Sequence, residues 1–249
     1  MTLSGKTALI TAGASGVGRA MAAAFDAAGA SVAIVDVDEA ALAACPAHWR
    51  RECFDVTDEP TIEEMLDDLS VDILCANAGV AGPTASVEDI ALADWRACLA
   101  VNLDAAFLFA KHAAPQMKAR GAGVMLFTSS TAGLHGYPQR SPYAAAKWAV
   151  IGLAKTLAME LGPHGVRANA LCPGSVEGPR MDGVIAREAA AKGRSPAEIR
   201  QGYAAGTAMR TFVEARDVAN MAVFLASDAA RHVSGQAISV DGFVFNPDP

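Results

Sequence analysis

The chain predicts a doubly wound α/β fold, a parallel sheet of about seven strands with helices on both faces. Three observations carry this. Apolar, often β-branched runs of strand length alternate with stretches of helical spacing from end to end. Apolar residues make up 52% of the chain and charged ones 19%, a balance that suits strands covered on both faces. A glycine-rich turn also stands where the first such run gives way to the first helical stretch.

The first strand is the run TALIT at 7–11, and the second is SVAIV at 31–35, with a helix over 17–28 between them. A weaker strand falls near 52–54, where a short run follows the DEAALA segment, and a helix over 61–69 leads to an apolar strand at 71–76. A long helical stretch, 94–119, precedes the strand GVMLFT at 123–128, and another, 142–161, precedes the strand at 166–172. A helix at 215–227 and a short strand at 237–240 complete the alternation, so right-handed βαβ units place any ligand at the carboxyl ends of the strands. One stretch breaks the rhythm. Residues 174–212 carry Pro179, Gly183, Gly193, Pro196, Gly202 and Gly206 among short helical fragments, the composition of a helical lid or substrate loop at the ligand edge. With no linker elsewhere, residues 1–249 read as a single domain.

A net charge of −7 without a basic cluster or zinc spacing argues against nucleic acid as a partner. Five scattered cysteines, Cys45, Cys53, Cys75, Cys98 and Cys172, form no CxxC pair and suit reduced thiols in the cytoplasm. No small-residue cleavage site follows the start of the chain, and no run of 18 apolar residues escapes a charge or turn signal, so neither export nor a membrane is expected.

The motifs specify chemistry. In TAGASGVG, glycines let backbone approach a pyrophosphate while the helix that follows offers free N–H groups and a favourable dipole. Asp36 ends the second strand about twenty residues on, where a carboxylate accepts hydrogen bonds from ribose hydroxyls and repels a 2′-phosphate. Neither Ser15 nor Val37 supplies a cation to offset that repulsion, which favours NAD over NADP. The alternative is that Asp36 merely caps the DEAALA helix. Tyr143 and Lys147, four residues apart, share one helix face, and an ammonium beside a phenol lowers its pKa. Ser141 as N-cap and Pro142 in the first helical position put Tyr143 in the first turn, where the helix dipole also favours phenolate.

These motifs resemble those of the short-chain dehydrogenase/reductase family, in its single-domain branch, from Lys6 to Gly242. The likeness extends to 3-oxoacyl-carrier-protein reductases and to NAD-dependent secondary alcohol dehydrogenases, and it implies a Rossmann-type fold. The glycine-rich turn is similar to the family's TGxxxGxG through Gly13, Ser15, Gly16, Val17 and Gly18, with Ala12 at the first glycine. By position, the resemblance makes Asp55 and Val56 adenine contacts, Asn77-Ala78-Gly79 the element beneath the adenosine, and Pro173-Gly174 with Val176 the nicotinamide turn. Gly178 stands where many relatives have threonine.

The family's Asn, Ser, Tyr and Lys find matches in Asn102, Ser130, Tyr143 and Lys147, with thirteen residues from serine to tyrosine. In that reading phenolate Tyr143 takes the hydroxyl proton as hydride leaves, and Ser130 stabilises the substrate oxygen. Lys147 lowers the tyrosine pKa and holds the nicotinamide ribose, while Asn102 orders a water joining Lys147 to solvent. Ser129 is one residue off the spacing, and His135 is given no chemical role.

Candidate substrate contacts are Ser130, His135, Tyr137, Gln139, Glu177, Met181 and Tyr203. Residues 179–212 hold six cations (Arg180, Arg187, Lys192, Arg194, Arg200, Arg210) against three anions (Asp182, Glu188, Glu198), which suits a small polar or anionic alcohol or ketone. The expected function is hydride transfer between NAD(H) and a secondary alcohol or ketone. Alternatives are an NADPH-linked ketoreductase of the 3-oxoacyl-carrier-protein type, which Asp36 opposes, and a catalytically idle nucleotide sensor, which needs no proton-transfer machinery. The resemblance also implies a homotetramer built on the long helices around Asn102 and Tyr143 and on the last strand.

Overall fold

A computed structural model describes residues 1–246. Seven parallel strands form one sheet in the order β3-β2-β1-β4-β5-β6-β7. They are β1 (Thr7–Thr11), β2 (Ser31–Asp36), β3 (Arg50–Cys53), β4 (Ile73–Ala76), β5 (Gly123–Thr128), β6 (Val166–Pro173) and β7 (Ala237–Val240). The order reverses between β1 and β4, and this opens a crevice at the carboxyl ends of those strands.

The period of two along each strand divides the core. Leu9, Ala33, Val35 and Leu74 face one side, where α3 (Glu59–Asp68), α5 (Ala105–Arg120) and α6 (Ser141–Leu161) pack with Phe109, Met117 and Val150. Ala8, Ile10, Val32 and Ile34 face the other side, where α1 (Gly16–Ala27) and α9 (Ala215–Ala226) bring Met21, Phe25, Val218 and Leu225. α2 (Glu39–Ala43) covers the edge of that side with Leu42.

α4 (Leu92–Leu99) runs into α5 through a π-helical turn, Ala100–Asp104. The expected helix at 94–119 is therefore interrupted at Asn102, which a widened turn carries into the interior. The continuous helix Leu92–Arg120 is long and apolar enough to cross a membrane by length and composition, yet its Phe109, Ala113 and Met117 lie against the sheet. After β6 come α7 (Pro179–Lys192) and α8 (Pro196–Ala205), the second opened by a capping box in which Ser195 and Glu198 exchange hydrogen bonds. Ile185, Ala189, Ile199 and Tyr203 give these two helices a small core of their own.

Candidate active site

Asn77 ties the crevice together. Its backbone N–H donates to Thr11 Oγ1 at 2.9 Å, its Nδ2 to the Thr11 carbonyl at 3.1 Å, and its Oδ1 accepts from Thr128 Oγ1 at 3.1 Å. The ends of β1, β4 and β5 are thus locked together by one buried amide, with Ala78 N–H adding a bond of 2.9 Å to Thr11 Oγ1.

The glycine-rich turn fits a pyrophosphate. A Cβ at Gly18 would stand 2.0 Å from the Ala12 carbonyl oxygen and one at Gly13 2.5 Å from Ile34, so helix, turn and strand meet too closely for side chains. Ser15 precedes α1 without using its side chain as a cap, which leaves the first-turn N–H groups to an anion. Ala12 itself has φ +50°, the left-handed region that a glycine would occupy without strain.

Asp36 closes β2 and turns toward the glycine-rich turn, accepting from Ala14 N–H at 3.1 Å and Asp38 N–H at 3.2 Å. Lone pairs remain on both oxygens for ribose hydroxyls. The cap of α2 is Asp38, which accepts from Ala41 N–H at 2.9 Å, so helix capping does not account for Asp36. Val37 beside it is exposed. Asp55 holds its own turn by accepting from Thr57, and Val56 is buried next to it. At the end of β6, Gly174 N–H donates to the Val240 carbonyl at 3.0 Å, and Val176 pairs with Val213. Gly178 has φ +134°, so a threonine there would be strained.

The Asn, Ser, Tyr and Lys matches converge beyond the carboxyl ends of β4 and β5. Lys147 is buried and its Nζ donates to the Thr128 carbonyl at 2.8 Å, with Nζ 5.6 Å from the Tyr143 ring centroid. Burial pushes the Tyr143 phenol up, but Lys147, Arg180, a hydrogen bond with Ser130 and Arg140 together bring it below the ordinary phenol value. Burial lowers the Lys147 ammonium, and the Tyr143 charge offsets part of that. Ser129 is taken up elsewhere, its Oγ donating to the Lys147 carbonyl at 2.7 Å, which leaves Ser130 as the serine facing the phenol. Asn102 Nδ2 donates to the carbonyls of Cys98, at 2.8 Å, and Val80, at 3.0 Å, and its buried Oδ1 has no partner among the described residues. Gly79 keeps the space between Asn102 and Lys147 clear: a Cβ there would stand 2.6 Å from Asn102 Oδ1 and 3.2 Å from Lys147 Nζ.

Ser141 does not cap α6. The helix already includes it, Arg140 holds the cap position, and the Ser141 hydroxyl is buried without a partner among the described residues. Pro142 does lie in the first turn, so Tyr143 still sits near the positive end of the helix.

The expected substrate contacts divide. Tyr137 and Tyr203 hydrogen-bond each other through their hydroxyls and, with Met181, belong to the cluster around α7 and α8. Glu177 is exposed and ion-paired with Arg200. His135 offers its carbonyl to Trp148 Nε1 at 3.4 Å, and the Gln139 Oε1 is buried without a partner among the described residues. Of the six cations in this segment, Arg180 is the one whose field lowers the Tyr143 phenol; Arg200 is paired with Glu177 and Asp182, and Arg210 donates to the Ala205 carbonyl. Sequence reasoning passed over Arg140, a buried guanidinium whose Cζ lies 4.9 Å from the Tyr143 ring centroid. Its adjacency to the tyrosine motif was the available signal.

Comparison with known proteins identifies the family. A family model described as enoyl-(acyl carrier protein) reductase matches residues 11–242. The cis-4-hydroxycyclohexanecarboxylate dehydrogenase of Sinomonas cyclohexanicum is 35% identical over 250 residues, covering 95% of each chain. The crystal structure of NAD+-bound xylitol dehydrogenase superposes with a TM-score of 0.93 at 25% identity, covering 97% of this chain and 100% of that one. That of a putative NAD(P)-dependent gluconate 5-dehydrogenase from Beutenbergia cavernae, with bound NADP, gives 0.88 at 32% identity and 97% coverage of both. The chain belongs to the short-chain dehydrogenase/reductase family, and it is an oxidoreductase that uses a nicotinamide cofactor to interconvert an alcohol CH–OH group and its ketone.

Proposed function

We propose that the chain is an NAD-dependent dehydrogenase of small secondary alcohols that carry an anionic or strongly polar group, with Tyr143 as the catalytic base in oxidation and acid in reduction. The observation that carries this reading is the meeting of Ser130, Tyr143 and Lys147 around a phenol whose pKa is lowered. The glycine-rich turn, Asp36, Asn77-Ala78-Gly79 and the Pro173-Gly174 turn with Val176 would hold the dinucleotide, and the bound nicotinamide supplies the hydride acceptor. Ser130 donates to the alcohol oxygen and fixes it beside Tyr143. Phenolate Tyr143 takes the hydroxyl proton while the substrate carbon loses hydride, so the C–O bond becomes a carbonyl. Lys147 stabilises the phenolate and, with Asn102 across the space that Gly79 keeps, returns the proton toward solvent.

Asp36 supports NAD, because its carboxylate lies beside the glycine-rich turn and forms no ion pair among the described residues, so a 2′-phosphate bound there would meet its charge. Arg180 supports an anionic group on the substrate, since its charge reaches Tyr143 from the start of α7. The carboxylate-bearing substrate named for the Sinomonas relative has the same chemistry. The test is a screen of hydroxy acids and of neutral secondary alcohols of equal size with NAD and with NADP, following reduced-cofactor absorbance. Preference for NAD and for the hydroxy acids supports the reading; preference for NADP, or none for charge, overturns that part of it. We also propose a homotetramer. Phe107 on α5, Trp148 and Met159 on α6 and Phe243 and Phe245 beyond β7 are large exposed apolar side chains on the faces where copies would pack. Light scattering that gives a monomer mass contradicts this.

A further inference from the structure

Two opposite charges are buried beside the catalytic tyrosine, and neither belongs to the Asn, Ser, Tyr and Lys set. Arg140 is 4% exposed and Glu188, on α7, is 3% exposed, with Arg140 Nη1 and Glu188 Oε1 3.7 Å apart. The guanidinium also donates through Nη2 to the Ala81 carbonyl at 3.1 Å, and its Cζ lies 5.7 Å from the Tyr137 ring centroid and 4.9 Å from that of Tyr143. Glu188 Oε1 accepts from the Tyr203 hydroxyl at 2.6 Å, and Tyr203 in turn bonds Tyr137. A closed circuit therefore links the start of α6 to both helices that follow β6.

Burying such a pair gains little stability, because desolvation consumes the attraction. Arg140 Nε and Glu188 Oε2 also remain without partners among the described residues, which lowers the gain further. We propose that Arg140 is a positioning residue for Tyr143, a second cation laid on the ring beside Lys147 and held there by Glu188, so that the strength of the base depends on how α7 is seated. This rests on the reading of Tyr143 as the base.

The charges around Tyr143 set the sign. Lys147 comes from its own helix, Arg140 and Tyr137 from the segment before it and Arg180 from α7, while Glu188 of α7 and Tyr203 of α8 act on Tyr137, and Cys98 of α4 and Cys172 of β6 act on Lys147. Arg140 is among the groups that lower the Tyr143 phenol, whereas the Glu188 charge acts on Tyr137 and Tyr203, both raised first by burial. Removing the pair therefore removes a cation from Tyr143, and its titration moves to higher pH.

Only three tyrosines are present, so phenolate absorbance in the near ultraviolet, taken as the difference between each protein and its Tyr143→Phe counterpart, reads Tyr143 directly. The variant is Arg140→Met with Glu188→Gln, which leaves no unpaired charge; Arg140→Gln, with Glu188 still bonded to Tyr203, replaces it where the double variant does not fold. The Tyr143 midpoint is expected to rise by about one pH unit, tenfold less phenolate at a given pH, and Arg140→Lys is expected to restore most of it. A midpoint unchanged in the folded variant, or a rise that Arg140→Lys shares in full, overturns the inference and leaves Tyr143 as base untouched. Turnover that survives Tyr143→Phe defeats both.

Discussion

Ala12 holds a left-handed backbone, φ +50°, at the start of the glycine-rich turn. An L-residue with a Cβ pays about 1–2 kcal/mol for that conformation, and glycine pays almost none. Glycine returns roughly 0.4–1 kcal/mol of that gain through the greater freedom of the unfolded chain. Ala12→Gly should therefore stabilise the protein by about 0.5–1 kcal/mol, or about 1–4 °C in Tm for a chain of this size. The turn's other contacts survive the change, because they run through backbone: Asn77 Nδ2 donates to the Ala12 carbonyl at 3.5 Å, and Gly13 N–H donates to the Val35 carbonyl at 3.2 Å. Urea unfolding followed by far-ultraviolet circular dichroism, with parent and variant side by side, measures the difference as a shift in midpoint at constant slope. A midpoint that falls refutes the argument, since it means that the methyl group of Ala12 contributes more by packing than its backbone costs.

Two further outcomes concern catalysis. Gly79→Ala places a Cβ 2.6 Å from Asn102 Oδ1 and 3.2 Å from Lys147 Nζ, so one of the two must move; at about 1–3 kcal/mol of misfit, kcat/KM should drop about 10–100-fold in steady-state assays, while unaltered turnover would show that the space has no role. With Tyr143 as the proposed base, oxidation draws on its ionised form, and its pKa lies below the ordinary phenol value of about 10, so kcat/KM for oxidation should climb with pH and level off before that value, while ketone reduction should decline over the same range; a pH–rate profile with both directions moving together contradicts the assignment.

Strands such as Thr7–Thr11 and Gly123–Thr128 were legible at their exact bounds because burial on both faces leaves an unbroken apolar run, and local composition alone records that. β3 was fainter: Arg50–Cys53 is a half-exposed edge strand with charges at three of four positions, and the expected run at 52–54 overlaps only its end. Asn102, Ser130, Tyr143 and Lys147 stood out because their spacing repeats a known order, yet the π-helical turn under Asn102 leaves no mark in periodicity. Arg140 escaped notice for a different reason. Its burial depends on Glu188 and Tyr203, residues on helices far along the chain, and an arginine before a helix ordinarily reads as solvated surface. Likewise nothing in the spacing of the cations from Arg180 to Arg210 distinguished Arg180 from Arg200, which Glu177 and Asp182 neutralise.

In the proposed mechanism the Tyr143 hydroxyl is the group that takes the proton from the substrate, before Lys147 and Asn102 pass it toward solvent. Tyr143→Phe removes that one oxygen and leaves the ring against Arg140 and Lys147. Titration with NAD and turnover of the preferred alcohol, measured on one preparation, test this most directly. NAD binding should persist while kcat falls at least about 100-fold, the scale of a lost general base; turnover within a few-fold of the parent would contradict the account.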